Sequence, residues 1–464
     1  MKLIKTTLAS ALVLLAGNAL AARTGGFATT DGGDLPGARH FTAATYQEIN
    51  DIITAASTVA GGAYPLVITY TGNEDAAIAK IVMDHNPDAA GNCPNPHWSE
   101  TYRQVPVTGY TAGLTIQGID GSSGNFGITM TNSSNVVIRN MKLGALGGAA
   151  NDADLLRVDS SSNIWIDHNE LLSNSHECNG SPEGDLTFEG AIDIKKNSHN
   201  VTVSYNYIHD HKKVGLDGSS GTDIAGGREI TFHHNLYSNV SQRLPLQRGG
   251  WTHMYNNLYS GITDSGINVR REGYTLIERN WFEDSVNPVV CRYDTTLCGW
   301  WDLRNNNVTS PADFARYGIT WTPNDGINTI TAIEWKTTAV FPKTLPYLYE
   351  TVSPQCVKNK LRKYAGVGKQ LKQLTPVACL GKDDDEPELH DASAPAGDYM
   401  ANYTKCADAG ETCKVKSGAG WVAFGRKGKW VTKYIGTGHS VRCTAASFGA
   451  DPGGNPNKCS YRVY

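Results

Sequence analysis

Between about residues 110 and 310 the chain repeats one phrase: alternating apolar residues, then Asn, then apolar residues again. Asn135-Val-Val-Ile-Arg-Asn140, Asn163-Ile-Trp-Ile-Asp-His-Asn169 and Asn200-Val-Thr-Val-Ser-Tyr-Asn206 share it. Glu229-Ile-Thr-Phe-His-His-Asn235, Trp251-Thr-His-Met-Tyr-Asn-Asn257 and Tyr274-Thr-Leu-Ile-Glu-Arg-Asn280 continue it, the closing asparagines lying 22 to 37 residues apart. A repeat of that size, built of short strands with no helix between, predicts a parallel β-helix, in which each coil buries its apolar face only by stacking on its neighbours. A β-propeller is disfavoured, because its blades recur at roughly 40–45 residues. Recurrent asparagine suits a turn that needs left-handed backbone, and stacked amides can bond from coil to coil. Upstream, Thr45-Tyr-Gln-Glu48 is a capping box followed by Ile49, Ile52 and Ile53 at helical spacing, so a short amphipathic helix is expected over 45–56. It would cover one end of the stack. Residues 65–70 (PLVITY) read as a strand, and the less repetitive 310–380 segment is expected to run back along the outside.

The termini change the picture. Residues 1–21 combine a charged start, a short apolar core and Ala19-Leu-Ala21, the pattern of a secretory signal, so a secreted, extracellular protein is expected. That apolar core is too short to span a bilayer. Ten cysteines with no CxxC spacing fit disulfides in an oxidising compartment better than zinc or redox thiols. A net charge of −4 gives no support for nucleic-acid binding. The domains expected are a signal peptide (1–21), a β-helix domain (22–380), an acidic linker (381–398) and a small Cys-containing β module (399–464). In that module Trp421 and Trp430 serve either as core or as sugar-stacking faces.

Chemistry concentrates in two places. Residues 188–195 (FEGAIDIK), read as a strand, put Glu189, Asp193 and Lys195 on one face and Ile192 and Ile194 in the core. Glu189 and Asp193 would stand roughly 13 Å apart at Cα, a gap that leaning side chains and two metal–oxygen bonds nearly close. Asp152 and Asp154 likewise share a face, and if the two segments neighbour each other four carboxylates converge. Such like charges need neutralising, and oxygen donors without His or Cys point to calcium. The second place is residues 241–250 (SQRLPLQRGG), where Arg243 and Arg248 flank Leu244-Pro245-Leu246. An offset of five would put the arginines on opposite strand faces, so a bend near Pro245 is needed if they serve one site. Removal of a proton α to a carboxylate requires the developing enolate to be stabilised, which a metal-bound carboxylate provides. Arginine is an unusual base, since it ordinarily keeps its proton throughout the usual pH range; nearby cations would favour its neutral form.

Long blocks carry a resemblance: WIDHNEL (165–171), SYNYIHDHKKVGLDGSS (204–220) and RLPLQRGG (243–250), with TYTGNED (69–75) and the NPV and RYD triplets at 287–294. From about 24 to 380 the chain resembles the secreted bacterial pectate lyases of polysaccharide lyase family 1. The resemblance implies a right-handed parallel β-helix and calcium-dependent β-elimination of polygalacturonate, leaving a 4,5-unsaturated end. It implies Asp154, Glu189 and Asp193 as holders of the primary Ca2+, with Asp152 and Asp185 helping to hold further ions. Arg243 would abstract the C5 proton, Lys213 and Arg248 would bind substrate carboxylates, and Lys195 and Arg270 would extend the cleft. Asp167 and His168 are expected to be structural. The same resemblance favours disulfides Cys93–Cys178 and Cys356–Cys379; Cys291–Cys298 follows from proximity. The C-terminal module is similar to small domains appended to secreted polysaccharide-degrading enzymes. The expected partner is plant cell-wall pectate, met by a monomer.

Three other readings compete. A pectin lyase acting on methyl-esterified polymer would lack the acidic cluster, which Asp154, Glu189 and Asp193 oppose. A non-catalytic polyuronate-binding β-helix would have no use for Arg243. A hydrolase would need a carboxylate pair flanking the scissile bond.

Overall fold

The computed structural model describes residues 24–85, 103–146, 153–175, 188–292, 297–322, 330–379, 388–391, 399, 403–416, 421–427, 429–435, 439–453 and 456–462. Two compact units divide the chain, Met1–Leu374 and Thr375–Tyr464.

The first unit is the parallel β-helix that the repeat predicts, right-handed as the resemblance implies. The middle coils each contribute one strand to each of three sheets, of ten, six and nine strands; the strands lie side by side in chain order and pair parallel, except that Ile330–Thr331 ends the nine-stranded sheet antiparallel. One coil, for example, supplies Ser162–Asp167, Glu170–Leu172 and Ile192–Lys195 in turn. Apolar residues stack in rows because the register never slips along the ten-stranded sheet. Ile68, Ile116, Ile138, Ile166, Val203, Phe232, Met254 and Ile277 occupy one such row, and all are buried. A one-residue slip would turn a whole row to the other face, which is why the pattern holds the register.

The expected helix forms at Tyr46–Ser57, with the Thr45 side chain accepting from the Glu48 N–H and Glu48 returning the bond to the Ala44 N–H. It lays Ile49, Ile53 and Ala56 on the first strands of the stack, Arg39–Ala43, Leu66–Tyr70 and Gln104–Thr108. Burying two isoleucines there contributes roughly 1.5–3 kcal/mol each. A second helix, Asp75–Asp84, follows the Leu66–Tyr70 strand and went unforeseen; its apolar positions are few, and only Ile78 is buried.

The asparagines divide the work differently from the expectation. Asn169, Asn206, Asn235, Asn257 and Asn280 form a buried ladder that ends on Asn306. Each Nδ2 donates to the next Oδ1 at 2.9–3.2 Å, and that Oδ1 also accepts the backbone N–H of the asparagine below. Asn140, which closes the first phrase, stands one residue short of this row and bonds the Gly118 carbonyl instead. The left-handed slot is the residue before the ladder asparagine, His168, Tyr205, His234, Asn256, Arg279 and Asn305, and Asn140 takes it before Met141. Ladder membership requires an inward amide, so the turn conformation passes to the preceding residue.

The 347–374 segment returns along the outside of the stack. It is held by Val352 to Asn256, Gly366 to the Tyr205 carbonyl, Lys372 to His168 and Gly368 to Asn140. His168, stacked on Tyr205 at 4.8 Å, bonds Asp167 through Nδ1 at 2.7 Å and the Lys372 carbonyl through Nε2 at 2.9 Å. These contacts make the WIDHNEL block an anchor for the returning segment.

In the second unit, five strands in the order Glu388–Asp391, Lys429–Tyr434, Trp421–Arg426, Lys458–Arg462 and Tyr403–Asp408 form an antiparallel sheet. Glu388–Asp391 lies inside the stretch expected to be a linker; a free sheet edge beside Lys429–Tyr434 recruits it as a strand. The pairing of the last four cysteines, open from the sequence, is Cys406–Cys413 and Cys443–Cys459. Trp430 is core, at 1 % exposure, which removes it as a sugar platform. In the first unit Cys291–Cys298 is formed as expected. Cys356 and Cys379 are both disulfide-bonded, while Cys93 and Cys178 lie outside the described residues.

Candidate active site on the nine-stranded sheet

The candidate residues are carried on successive strands of the nine-stranded sheet and on the turns that enter them. Asp154 precedes Leu156–Asp159, Glu189 precedes Ile192–Lys195, Lys213 ends the strand before Gly215–Asp217, and Arg243 precedes Leu246–Arg248. Ile194, Asp217, Gln247 and Val269 are register partners across four coils. The next residue on each coil, Lys195, Gly218, Arg248 and Arg270, therefore forms one outward row, with Arg248 directly opposite Arg270. Three cations on three coils are thus aligned by strand register alone.

The strand expected over 188–195 is shorter, Ile192–Lys195, and Gly190 just before it is tightly surrounded. A Cβ added there would lie 2.3 Å from Asp193 Oδ1 and 2.9 Å from Asp154 Oδ1. Glycine lets the two carboxylates close around the backbone. Asp154 Oδ1 accepts the Gly190 N–H at 3.0 Å and Asp193 Oδ1 accepts the Leu216 N–H at 3.0 Å. Their Oδ2 atoms both meet Lys195 Nζ, each at 3.0 Å. All three residues are buried, Asp154 completely. Burial opposes the charge on Lys195, but Asp193 and Asp154 outweigh it and hold the ammonium well above the usual lysine range.

Glu189 turns elsewhere, its two oxygens 3.1 and 3.4 Å from Lys213 Nζ. Among the described residues no three carboxylate, imidazole or thiolate side chains form one group able to hold a metal, so Glu189 does not join Asp154 and Asp193 here. Asp152 and Asp185 lie outside the described residues. The Asp154–Asp193 pair nevertheless fits a hard cation: two buried carboxylates converge with oxygen donors only, and one ammonium leaves their combined charge negative.

Arg243 differs from every other cation in the row. It takes a left-handed backbone, φ 67°, so the bend expected at Pro245 starts at the arginine itself. Rungs on both sides clamp it there: its carbonyl accepts the Gly215 N–H at 2.9 Å, and the Leu244 N–H donates to the Gly266 carbonyl at 3.1 Å. Its guanidinium makes no hydrogen bond or ion pair among the described residues, and its Nε is buried without a partner. By contrast Arg248 Nη1 donates to the Gly218 carbonyl at 2.7 Å, and Arg270 Nε to Asn268 at 3.2 Å.

Sequence reasoning passed over Arg157, which stands opposite Asp193 in register and pairs with Asp159, and Arg228 with Asp223. Arg157 sits in an alternating strand where a cation looks like ordinary surface. Arg228 lies beyond a Gly-rich loop with no periodicity to place it.

A parallel β-helix with carboxylates and cations aligned across successive coils is suited to a long, charged polymer. The family assignment is specific. The pectate lyase family model matches residues 1–370, and the chain belongs to that family. It is 55 % identical over 390 residues to pectate lyase 1 of Pectobacterium carotovorum, covering 82 % of this chain and all of that one. It is 54 % identical over 386 residues to pectate lyase B of Dickeya chrysanthemi, again covering 82 % of this chain and all of the relative. Among solved structures, pectate lyase C from Erwinia chrysanthemi at pH 9.5 with 30 mM Ca2+ matches with a TM-score of 0.71 and 53 % identity, over 76 % of this chain and 99 % of that chain. An arginine-to-lysine mutant of pectate lyase C in complex with pentagalacturonic acid gives 0.70 and 52 %, over 77 % and 99 %. This chain is accordingly a pectate lyase.

Proposed function

We propose that the chain cleaves polygalacturonate by calcium-dependent β-elimination, with Arg243 as the base, after export directed by residues 1–21. The observation that carries this reading is the Arg243 guanidinium, without a partner among the described residues and held by clamped backbone beside a row whose other cations are engaged. Asp154, Glu189 and Asp193 would hold the calcium ion, helped by Asp152 and Asp185. Bound there, calcium would supply the positive charge that acidifies the C–H next to a galacturonate carboxylate. Lys213, Arg248, Lys195 and Arg270 bind and orient the carboxylates of successive sugars. Arg243 removes the proton from C5; the electron pair forms the C4–C5 double bond, the C4–O bond breaks, and the leaving oxygen takes a proton. The products are one new reducing-side fragment with a 4,5-unsaturated non-reducing end and one saturated fragment. Relatives solved with calcium and with pentagalacturonic acid support both the metal and the substrate class.

The test is incubation with polygalacturonate, with calcium or with a chelator, while ultraviolet absorbance and product length are followed. Absorbing, unsaturated oligomers that vanish with chelator are expected. Chelator-resistant cleavage favouring methylated pectin would move the assignment to a pectin lyase, and binding without product would make the chain a polyuronate-binding protein.

A further inference from the structure

We infer that Arg228 is a positioning residue for substrate recognition, setting the spacing of Lys195 and Arg248 by bonding the backbone of both their coils; this rests on the lyase reading above. Arg228 is 1 % exposed and lies just before the strand Glu229–His233. Its Nη1 donates to the Arg248 carbonyl at 2.7 Å, and its Nη2 to the Lys196 carbonyl at 2.8 Å. Those carbonyls sit at the ends of two strands, Leu246–Arg248 and Ile192–Lys195, separated in the sheet by Gly215–Asp217.

Asp223 closes the circuit. It pairs with Arg228 Nη2, accepts the Lys196 N–H at 2.8 Å and accepts the Ser219 N–H at 2.7 Å. The intervening coil is bound in as well, since Arg248 Nη1 donates to Gly218 and the Gly218 N–H donates to the Ile194 carbonyl at 2.8 Å. The arrangement leaves no slack. A Cβ at Gly218, whose φ is +101°, would lie 2.9 Å from Arg228 Nη1 and 3.1 Å from Arg248 Cβ. One at Gly250, φ +70°, would lie 2.9 Å from Arg228 Cβ.

The chemistry requires this geometry. Neighbouring strands are about 4.8 Å apart, so Lys195 and Arg248, two strands apart, are separated by roughly 10 Å, and small shifts change which sugar carboxylate each can meet. A planar guanidinium fixes two acceptors at a set angle, which a lysine ammonium on a flexible stem cannot do. Arg228 is buried and its bonds run to backbone carbonyls and Asp223, so it acts through the backbone it holds.

The experiment compares full-length wild type with Arg228→Lys, and with Asp223→Asn as a second variant should the first fail to fold. Readouts are kcat, KM for polygalacturonate, thermal midpoint, and trigalacturonate binding by calorimetry. KM is expected to rise about tenfold in Arg228→Lys, the scale of one lost charged hydrogen bond, with kcat within about twofold. In an Arg248→Ala background the same change should add less than about twofold to KM, because the cation being positioned is gone. Asp223→Asn should raise KM in the same direction. An unchanged KM with a lowered thermal midpoint, or KM effects that multiply fully in the double variant, would show a structural role only and overturn the inference. A wild-type chain that neither binds trigalacturonate nor cleaves polygalacturonate would instead overturn the lyase reading, and this inference with it.

Discussion

The same coils carry two polar rows that behave in opposite ways. On one corner Asn169, Asn206, Asn235, Asn257 and Asn280 repeat a single group, and every amide is paired to the coils on either side. On the nine-stranded sheet each coil carries a different group: a carboxylate pair around Lys195, a lysine on Glu189, and Arg243 with no partner among the described residues. Identical satisfied groups stabilise a stack, since each buried donor meets an acceptor. Dissimilar and incompletely paired charges leave interaction energy for a ligand, at a cost to the fold. The difference teaches where the protein is built to stand and where it is built to react.

The sharpest break in that comparison is Arg243→Ala. Turnover should fall by at least ~10²–10⁴, the usual weight of an acid–base group. Because the side chain makes no described bond, the thermal midpoint should stay put; calorimetry alongside initial rates checks both. A large loss of stability would mean that Arg243 belongs to the scaffold.

Asn235→Ala should do the reverse. It strands the Asn206 N–H, the Asn206 amide and the Val203 carbonyl, all buried. A destabilisation of about 3 kcal/mol or more is expected from groups left unsatisfied, measured by urea titration followed by circular dichroism. Activity per folded molecule should be retained.

Asp193→Asn removes one of the two charges on Lys195. It should raise the calcium needed for half-maximal rate by roughly tenfold or more, read from a calcium titration of initial rate. Retained folding at saturating calcium would place the effect in the cleft rather than the stack.

The smallest expected effect is a pH dependence of stability set by groups inside the stack. Burial pushes His211 down to about 3 and His233 to about 4, and lowers His234 and His253. These imidazoles are neutral when folded but bind protons below their ordinary 6.5 when unfolded. Their contribution is thus complete above about pH 6.5 and is lost as pH falls toward 4. Asp217, raised to about 8 by burial, acts in the opposite sense, its contribution declining as pH rises from 3.8 to about 8. Four imidazoles outweigh one carboxyl below 6.5, so the thermal midpoint should drop on acidification from 6.5 to 4, measured by calorimetry across that range. His211→Phe should flatten the slope.

Much of the architecture was legible from local pattern. The Asn-closed phrases specify stacked strands, and Thr45 with Glu48 specifies a helix start, because those features act over a few residues whatever surrounds them. The helix Asp75–Asp84 escaped notice because its buried contact is a single isoleucine, too weak a stripe to read. Glu388–Asp391 became a strand only because a sheet edge was available to pair with it, which an acidic stretch does not announce.

The candidate site divides along the same line. Residue types and long blocks in the chain single out Arg243, Lys213, Lys195, Asp154 and Asp193 as candidates, since chemistry depends on which groups are present. Which of those groups meet was a matter of register between coils 20 to 40 residues apart. Lys195 lies between Asp154 and Asp193, Glu189 faces Lys213, and Arg248 stands opposite Arg270. Arg228 joins coils that no local rule connects. Chain pattern acts through neighbours a few residues away, whereas charge pairing depends on distances through space, and only the stacking of coils turns the first into the second.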